Sequence, residues 1–265
     1  MTTDNTPLSD HDATQAFLES LPELAPGQSF RFACHPQVPC FNACCSDLTL
    51  MLTPYDVLRL RTQLGMSSKE FIAKHALVAQ APDTGFPMMR LRMLDEVHGS
   101  PCPFVRREGC SVYPGRPGAC RTYPLGRATK TGPQGEVLEQ FFIVREPHCR
   151  GFEQESGWTS AEWLKDQDLQ RYNESNDRYM LLMAQARDKG APLDQRQANL
   201  VFLAAYNLDA FGDFLTRMGV LERLELDEER KAGILSDEGK RLEFGLDWLE
   251  LMLFGSERTL SKKKD

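Results

Sequence analysis

The residues best equipped for chemistry are eight cysteines: Cys34, Cys40, Cys44, Cys45, Cys102, Cys110, Cys120 and Cys149. Seven of them lie between Cys34 and Cys120. Three sit in Cys102–Gly126, CPFVRREGCSVYPGRPGACRTYPLG, a stretch punctuated by Pro103, Pro114, Gly115, Pro117 and Gly118. Proline fixes φ and glycine permits positive φ, so this composition describes a run of rigid turns. Such turns make neither a long helix nor a central strand, but they hold thiols at fixed positions. A second stretch, CHPQVPCFNACC from Cys34 to Cys45, has gaps of five and three residues and then an adjacent pair. Short gaps let several ligands converge on one ion or cluster at little loop-closure cost. Adjacent side chains point different ways, so Cys44 and Cys45 serve different sites, or one of them is no ligand. The chemistry this predicts is a thiolate metal site, with the later stretch folding back onto the other five cysteines.

Other uses of the thiols are open. Free cysteine is common in cores but seldom clusters among prolines and glycines. Disulfides fit the even count, yet a chain of 265 residues builds a core without covalent staples. Reactive or redox thiols are a further reading. The spacing matches neither the paired C-x2-C of zinc ribbons nor the tight ferredoxin run, so the residues do not name the metal. His35 and His148 each adjoin a cysteine and read as supporting or surface groups. Tyr113 and Tyr123 read as packing residues, the Trp163, Tyr172 and Tyr179 stripe as core, and Asn173, Asn176 and Asp177 as ordinary polar helix positions. No Ser/His/Asp arrangement, phosphate loop or carboxylate pair has a telling spacing.

The net charge of −7 argues against general binding to nucleic acid or to acidic membrane. From Arg90 to Arg150, ten Arg and Lys stand against six Asp and Glu, a local +4 that leaves −11 elsewhere. Four thiolates around a divalent metal, or around a 2+ iron–sulfur cube, carry −2, which Arg106, Arg107, Arg116, Arg121, Arg145 and Arg150 would offset. A basic face for a partner protein or an anionic ligand is the other reading, and both can hold. The polar, acidic N-terminus has no secretory pattern and no apolar run reaches bilayer length. The expected location is the cytoplasm, where thiols stay reduced.

The block CPFVRREGCSVYPGRPGACRTYP resembles the signature of the YkgJ-type cysteine-cluster family, the zinc- or iron-chelating domain of CxxCxxCC type. That family has an N-terminal cluster ending in Cys-Cys, then a CPF…GCSIY…RP…CRTYP-like block, then a late cysteine. Cys44, Cys45, Cys102, Cys110, Cys120 and Cys149 follow this order, over about Cys34 to Gly151. The family's cluster is the tighter C-x2-C-x2-C-C, a departure that touches Cys34 and Cys40. The resemblance implies a metal-binding protein holding an iron–sulfur cluster, [4Fe–4S] for preference, or zinc. A relative, flagellin lysine methylase, shares the cysteine domain, which admits a metal- or cluster-dependent enzyme of group transfer or redox. A structural zinc module that presents a surface to a protein partner is the third reading. Eight thiols suffice for two four-cysteine sites, or for one cluster and a zinc.

These residues need elements to place them. The expected fold is α+β: a mobile leader over residues 1–28, a cysteine-rich domain of short strands and turns over 29–156, and a mainly α-helical region over 157–265. A short helix is expected at Asp12 to Leu21. Ser46 to Leu52 reads as a strand, Thr53 and Pro54 open a helix to Leu64, and Ser67 with Glu70 caps a second to His75. Met88 to Leu94 and Glu136 to Arg145 read as strands, the latter pairing with the former or with the Ser46 strand. Helices follow from Thr159 to about Gly190, at Asp194 to Tyr206, Asp209 to Met218, Leu226 to Ile234 and Ser236 to Phe254, before a frayed SKKKD tail.

Overall fold

Four helices start by the same device. Thr53, Ser67, Thr159 and Asp194 each accept the backbone N–H three residues on, and the side chain there (Asp56, Glu70, Glu162, Gln197) accepts the cap's own N–H. This satisfies two otherwise orphaned donors per helix and fixes the starts of Pro54–Leu64, Ser68–His75, Ser160–Asp166 and Gln195–Val201. Gly65, at φ +64°, closes the first of these in the left-handed region.

The computed structural model describes residues 21–95, 99–132 and 136–263. The helix expected from Asp12 lies outside the described residues, apart from Leu21, which is a bend. The fold is α+β, with short antiparallel strands in small sheets and then a mostly helical C-terminal part. It divides into two compact units, each made of two stretches of chain: residues 1–43 with 119–169, and 44–118 with 170–265.

In the first unit, strand Val137–Ile143 lies between Glu23–Leu24 and Leu125–Thr131. This corrects the expected pairing of Val137–Ile143 with Met88 to Leu94 or the Ser46 strand. Its hairpin partner, Leu125–Thr131, is LGRATKT, too polar and too close to Gly126 to announce itself. Strand Glu23–Leu24 lies within the stretch read from the sequence as leader, and Leu24 is buried. A second ribbon pairs Ser29–Arg31 with Gly157–Thr159. Leu24, Phe30, Phe32, Leu125, Phe141, Ile143 and Trp163 make this unit's core. The helix expected to run from Thr159 to about Gly190 breaks after Asp166, where Asp168 adopts φ +51°, and resumes as Gln170–Asp188.

In the second unit, Pro87–Leu91 pairs with Met51–Leu52 on one side and Ala76–Gln80 on the other. The strand expected from Ser46 is therefore only its last two residues, with Ser46 itself in an isolated bridge to Pro101. Val105–Arg106 and Gly109–Cys110 form a two-stranded hairpin. Helix Pro54–Leu64 packs against Gln170–Asp188 and against Glu238–Phe254, which buries Leu242, Phe244, Leu246, Trp248, Leu249 and Leu253. The helix capped by Asp194 ends as a π-turn over Phe202–Tyr206. Gly245 faces it so closely that a Cβ would lie 2.5 Å from the Ala204 carbonyl. Leu208–Arg217 and Glu228–Ser236 complete the helices. The tail is not frayed up to Lys263: Lys262 bridges Leu224, the Glu225 N–H donates to the Ser261 carbonyl, and Leu260 is buried.

Candidate metal centre

Pro103 and the Arg107-Glu108 turn shape the hairpin that carries Cys102 and Cys110. Gly109, at φ +125°, takes a conformation that a side chain would strain, and it sets Cys110 opposite Val105. The Val105 N–H donates to the Cys102 carbonyl at 3.1 Å, so both cysteines are tied to the same strand residue. Both thiols are more than half buried, and burial pushes both upward in pKa. Opposing this, Phe104 and Val105 N–H groups reach the Cys102 sulfur and the Val112 N–H reaches that of Cys110. The Arg106 charge favours both thiolates and Arg116 that of Cys110, whereas a negative Cys110 sulfur disfavours the thiolate of Cys102. Amide donors and guanidinium groups near sulfur suit a thiolate, while burial favours the neutral thiol. Arg116 is itself buried, donates to the Tyr113 carbonyl at 3.0 Å and lies 3.6 Å from the Tyr113 ring centroid.

Cys44 and Cys45 follow Ala43 in a single 3-10 turn. The Cys45 carbonyl accepts the Cys102 N–H at 2.8 Å, which brings this pair to the hairpin in the second unit. In the first unit, the Arg150 N–H donates to the Cys40 sulfur at 3.1 Å, placing Cys40 beside Cys149. The Ala33 N–H donates to the Gly151 carbonyl at 3.1 Å and leads Cys34 to the same turn. Gly151 has to be glycine, since a Cβ there would lie 2.4 Å from the Phe32 ring. Cys120 stands in the short helix Gly118–Thr122, three residues before Tyr123, whose ring meets Phe32 with centroids 5.7 Å apart. Cys34 and Cys120 are exposed and the other six cysteines half-buried. Among the described residues, no three His, Cys, Asp or Glu side chains are already drawn together as a metal site.

Neither histidine beside a cysteine is aimed at a sulfur by any resolved bond: His35 Nδ1 shares a 2.7 Å contact with Gln37, and His148 is exposed. Tyr113 is exposed under Arg116, and Tyr123 packs on Phe32. Trp163, Tyr172 and Tyr179 are buried, as a core stripe requires. Two residues that the sequence reading passed over support the region. Asp56, 2% exposed, accepts the Gly118 N–H at 2.7 Å with the oxygen its helix cap leaves over. His75 is buried against Phe71 and Phe104, and burial, with Lys74 adding to it, lowers its pKa. The Thr53-x-x-Asp56 spacing announced the cap; nothing in it announced Gly118.

Residues 33–150 match the family described as "CxxCxxCC: Putative zinc- or iron-chelating domain". The match covers under half of the chain. It spans all eight cysteines and gives the thiol-rich turns a metal-chelating context. No curated protein and no solved structure matches the chain significantly. Within the matched stretch, residues 33–43 and 119–150 belong to the first unit and 44–118 to the second. No helix among the described residues is long and apolar enough to cross a membrane.

Proposed function

We propose that this protein binds an iron–sulfur cluster, [4Fe–4S] for preference, through cysteine thiolates, with zinc as the competing occupant. Cys34, Cys40, Cys44, Cys45, Cys102, Cys110, Cys120 and Cys149 are the ligand pool. The observation that carries this reading is the Cys102–Cys110 hairpin inside the CxxCxxCC match. There, two buried thiols meet amide N–H donors and guanidinium charge, an environment that suits sulfur anions once a cation replaces their protons. N–H···S bonds of this kind also tune the potential of a cluster, which favours iron–sulfur over a purely structural ion. A cluster would supply electron transfer or a Lewis-acidic iron, and zinc a closed cross-link. Thiolate ligands need a reducing compartment, and we place the protein in the cytoplasm on that basis.

Anoxic purification followed by iron, zinc and acid-labile sulfide analysis tests the reading. Iron and sulfide in comparable amounts, with broad visible absorbance, are expected. Stoichiometric zinc without sulfide would replace the cluster by zinc. A folded, reduced preparation that holds neither metal and takes up neither would overturn the proposal.

A further inference from the structure

The two units divide the thiols evenly. The second holds Cys44, Cys45, Cys102 and Cys110, and the first holds Cys34, Cys40, Cys120 and Cys149. Within each set, backbone bonds gather residues that lie far apart in sequence. In the second unit, the Cys102 N–H to Cys45 carbonyl bond spans more than fifty residues, and the Ser46–Pro101 bridge continues it. The hairpin then adds Cys110 opposite Val105. In the first unit, the Arg150 N–H to Cys40 sulfur bond and the Ala33 N–H to Gly151 carbonyl bond bring Cys34, Cys40 and Cys149 to one turn. Cys120 is one helical turn from Tyr123, and both Tyr123 and Phe152 stack edge-on against Phe32. That helix is anchored in the same unit, because Trp163 Nε1 donates to the Thr122 carbonyl at 3.0 Å and Arg121 donates to the Gln167 carbonyl at 2.7 Å.

The sets also rest on different cores. Cys102 and Cys110 pack on the cluster built around Phe71, Phe86, Tyr206 and Phe211. Cys149 packs on the cluster of Phe30, Phe32, Phe141 and Trp163. Four thiolates complete a tetrahedral ion or a cubane cluster, so each set is the right size for one closed centre.

Building on the thiolate-binding reading above, we infer that the chain carries two metal centres. One is ligated by Cys44, Cys45, Cys102 and Cys110, which replaces the separate sites expected for the adjacent Cys44 and Cys45 because both lie in the second unit, and the other by Cys34, Cys40, Cys120 and Cys149. The probe is cobalt(II) alone, titrated anoxically into the reduced full chain and followed by thiolate-to-cobalt charge-transfer absorption. The expected breakpoint is two cobalt ions per chain, with all eight thiols protected from alkylation. The double variants Cys102→Ser/Cys110→Ser and Cys40→Ser/Cys149→Ser should each fall to one ion. A single ion in the natural chain, or loss of both ions from either variant, overturns the two-centre assignment while leaving thiolate binding intact. No thiolate-bound cobalt at all, in a chain that also takes up neither iron nor zinc, sinks the parent reading instead. Should the variants fail to fold, top-down mass spectrometry of the one-cobalt form of the natural chain decides. Protection of one complete set per molecule is expected, and protection mixed across the sets overturns the assignment.

Discussion

Asp56 and Gly118, sixty-two positions apart, are joined by a 2.7 Å hydrogen bond from the glycine N–H to a carboxylate oxygen that is buried with the rest of the side chain. The other oxygen of the same carboxylate takes the Thr53 N–H and hydroxyl, both at 2.9 Å. One acid thus starts the helix Pro54–Leu64 and holds the loop that leads to Cys120. Replacing Asp56 with Ala should cost more than loss of the helix cap alone, because the partly buried Gly118 donor loses this acceptor. The expectation is about 1–3 kcal/mol beyond a Thr53→Ala variant, itself worth about 1 kcal/mol. Denaturant midpoints of the two variants, at unchanged m-value, measure the difference; equal losses would remove Asp56 from this role.

Gly115 approaches the same helix closely. A Cβ there would lie 2.7 Å from the Gln63 Cβ and 2.8 Å from the Arg59 carbonyl. Gly115→Ala should therefore destabilise by about 1–3 kcal/mol, through overpacking against backbone that has no room to yield. Gly157→Ala, where nothing lies within 4 Å, should stay within about 0.5 kcal/mol of the parent. Parallel thermal melts of the two variants are the check.

Metal removal should act as a stability change. If thiolate binding contributes to folding, anoxic treatment with a chelator lowers the melting temperature, and restoring the lost metal recovers it. Cys110→Ser should lose only part of the metal-dependent stability, keeping what the thiols outside its own set still bind. A stripped chain that melts with the loaded one would show that the centre plays no part in holding the fold.

Acid should expose one particular ion-pair group. Asp209 is partly buried, which alone would raise its pKa, but the Ser68 N–H at 2.6 Å and the Arg61 guanidinium bring it below its ordinary 3.8. A folded pKa below the unfolded one means stability that is fully present above the unfolded value. That stability is lost as pH falls through 3.8 towards the lower folded value. Asp209→Asn should be less stable than the parent at neutral pH and show a shallower loss below pH 4. Urea midpoints measured across that range give the comparison; parallel curves would refute the assignment.

Local chemistry made much of this fold readable. Thr53, Pro54 and Gly65 delimit a helix because each answers a local backbone need, and Ser67 with Glu70 does the same one turn later. The leucine face of Glu238–Phe254 is legible for a similar reason, because it repeats at helical spacing. What stayed hidden is what depends on distant partners. Leu125–Thr131 is a strand only because Val137–Ile143 and its buried Phe141 lie alongside. Tail residues Ser261 and Lys262 are held by Glu225 and Leu224. At the candidate centre, cysteine spacing and prolines pointed to thiolate chemistry. The division of the thiols is different: it follows from pairings such as Cys102 with Cys45 that span too much chain for any periodicity to reveal.

The chain passes from one unit to the other three times, after Ala43, Gly118 and Leu169. An expression fragment that stops at residue 156, where cysteine-rich composition gives way to helix, would discard Gly157–Thr159 and leave the Ser29–Arg31 edge bare. It would also delete the Trp158 indole that donates to Phe32 at 2.9 Å and the Trp163 ring that stacks on it. A gene cut at that point would yield neither a soluble chelating module nor a separable helical one.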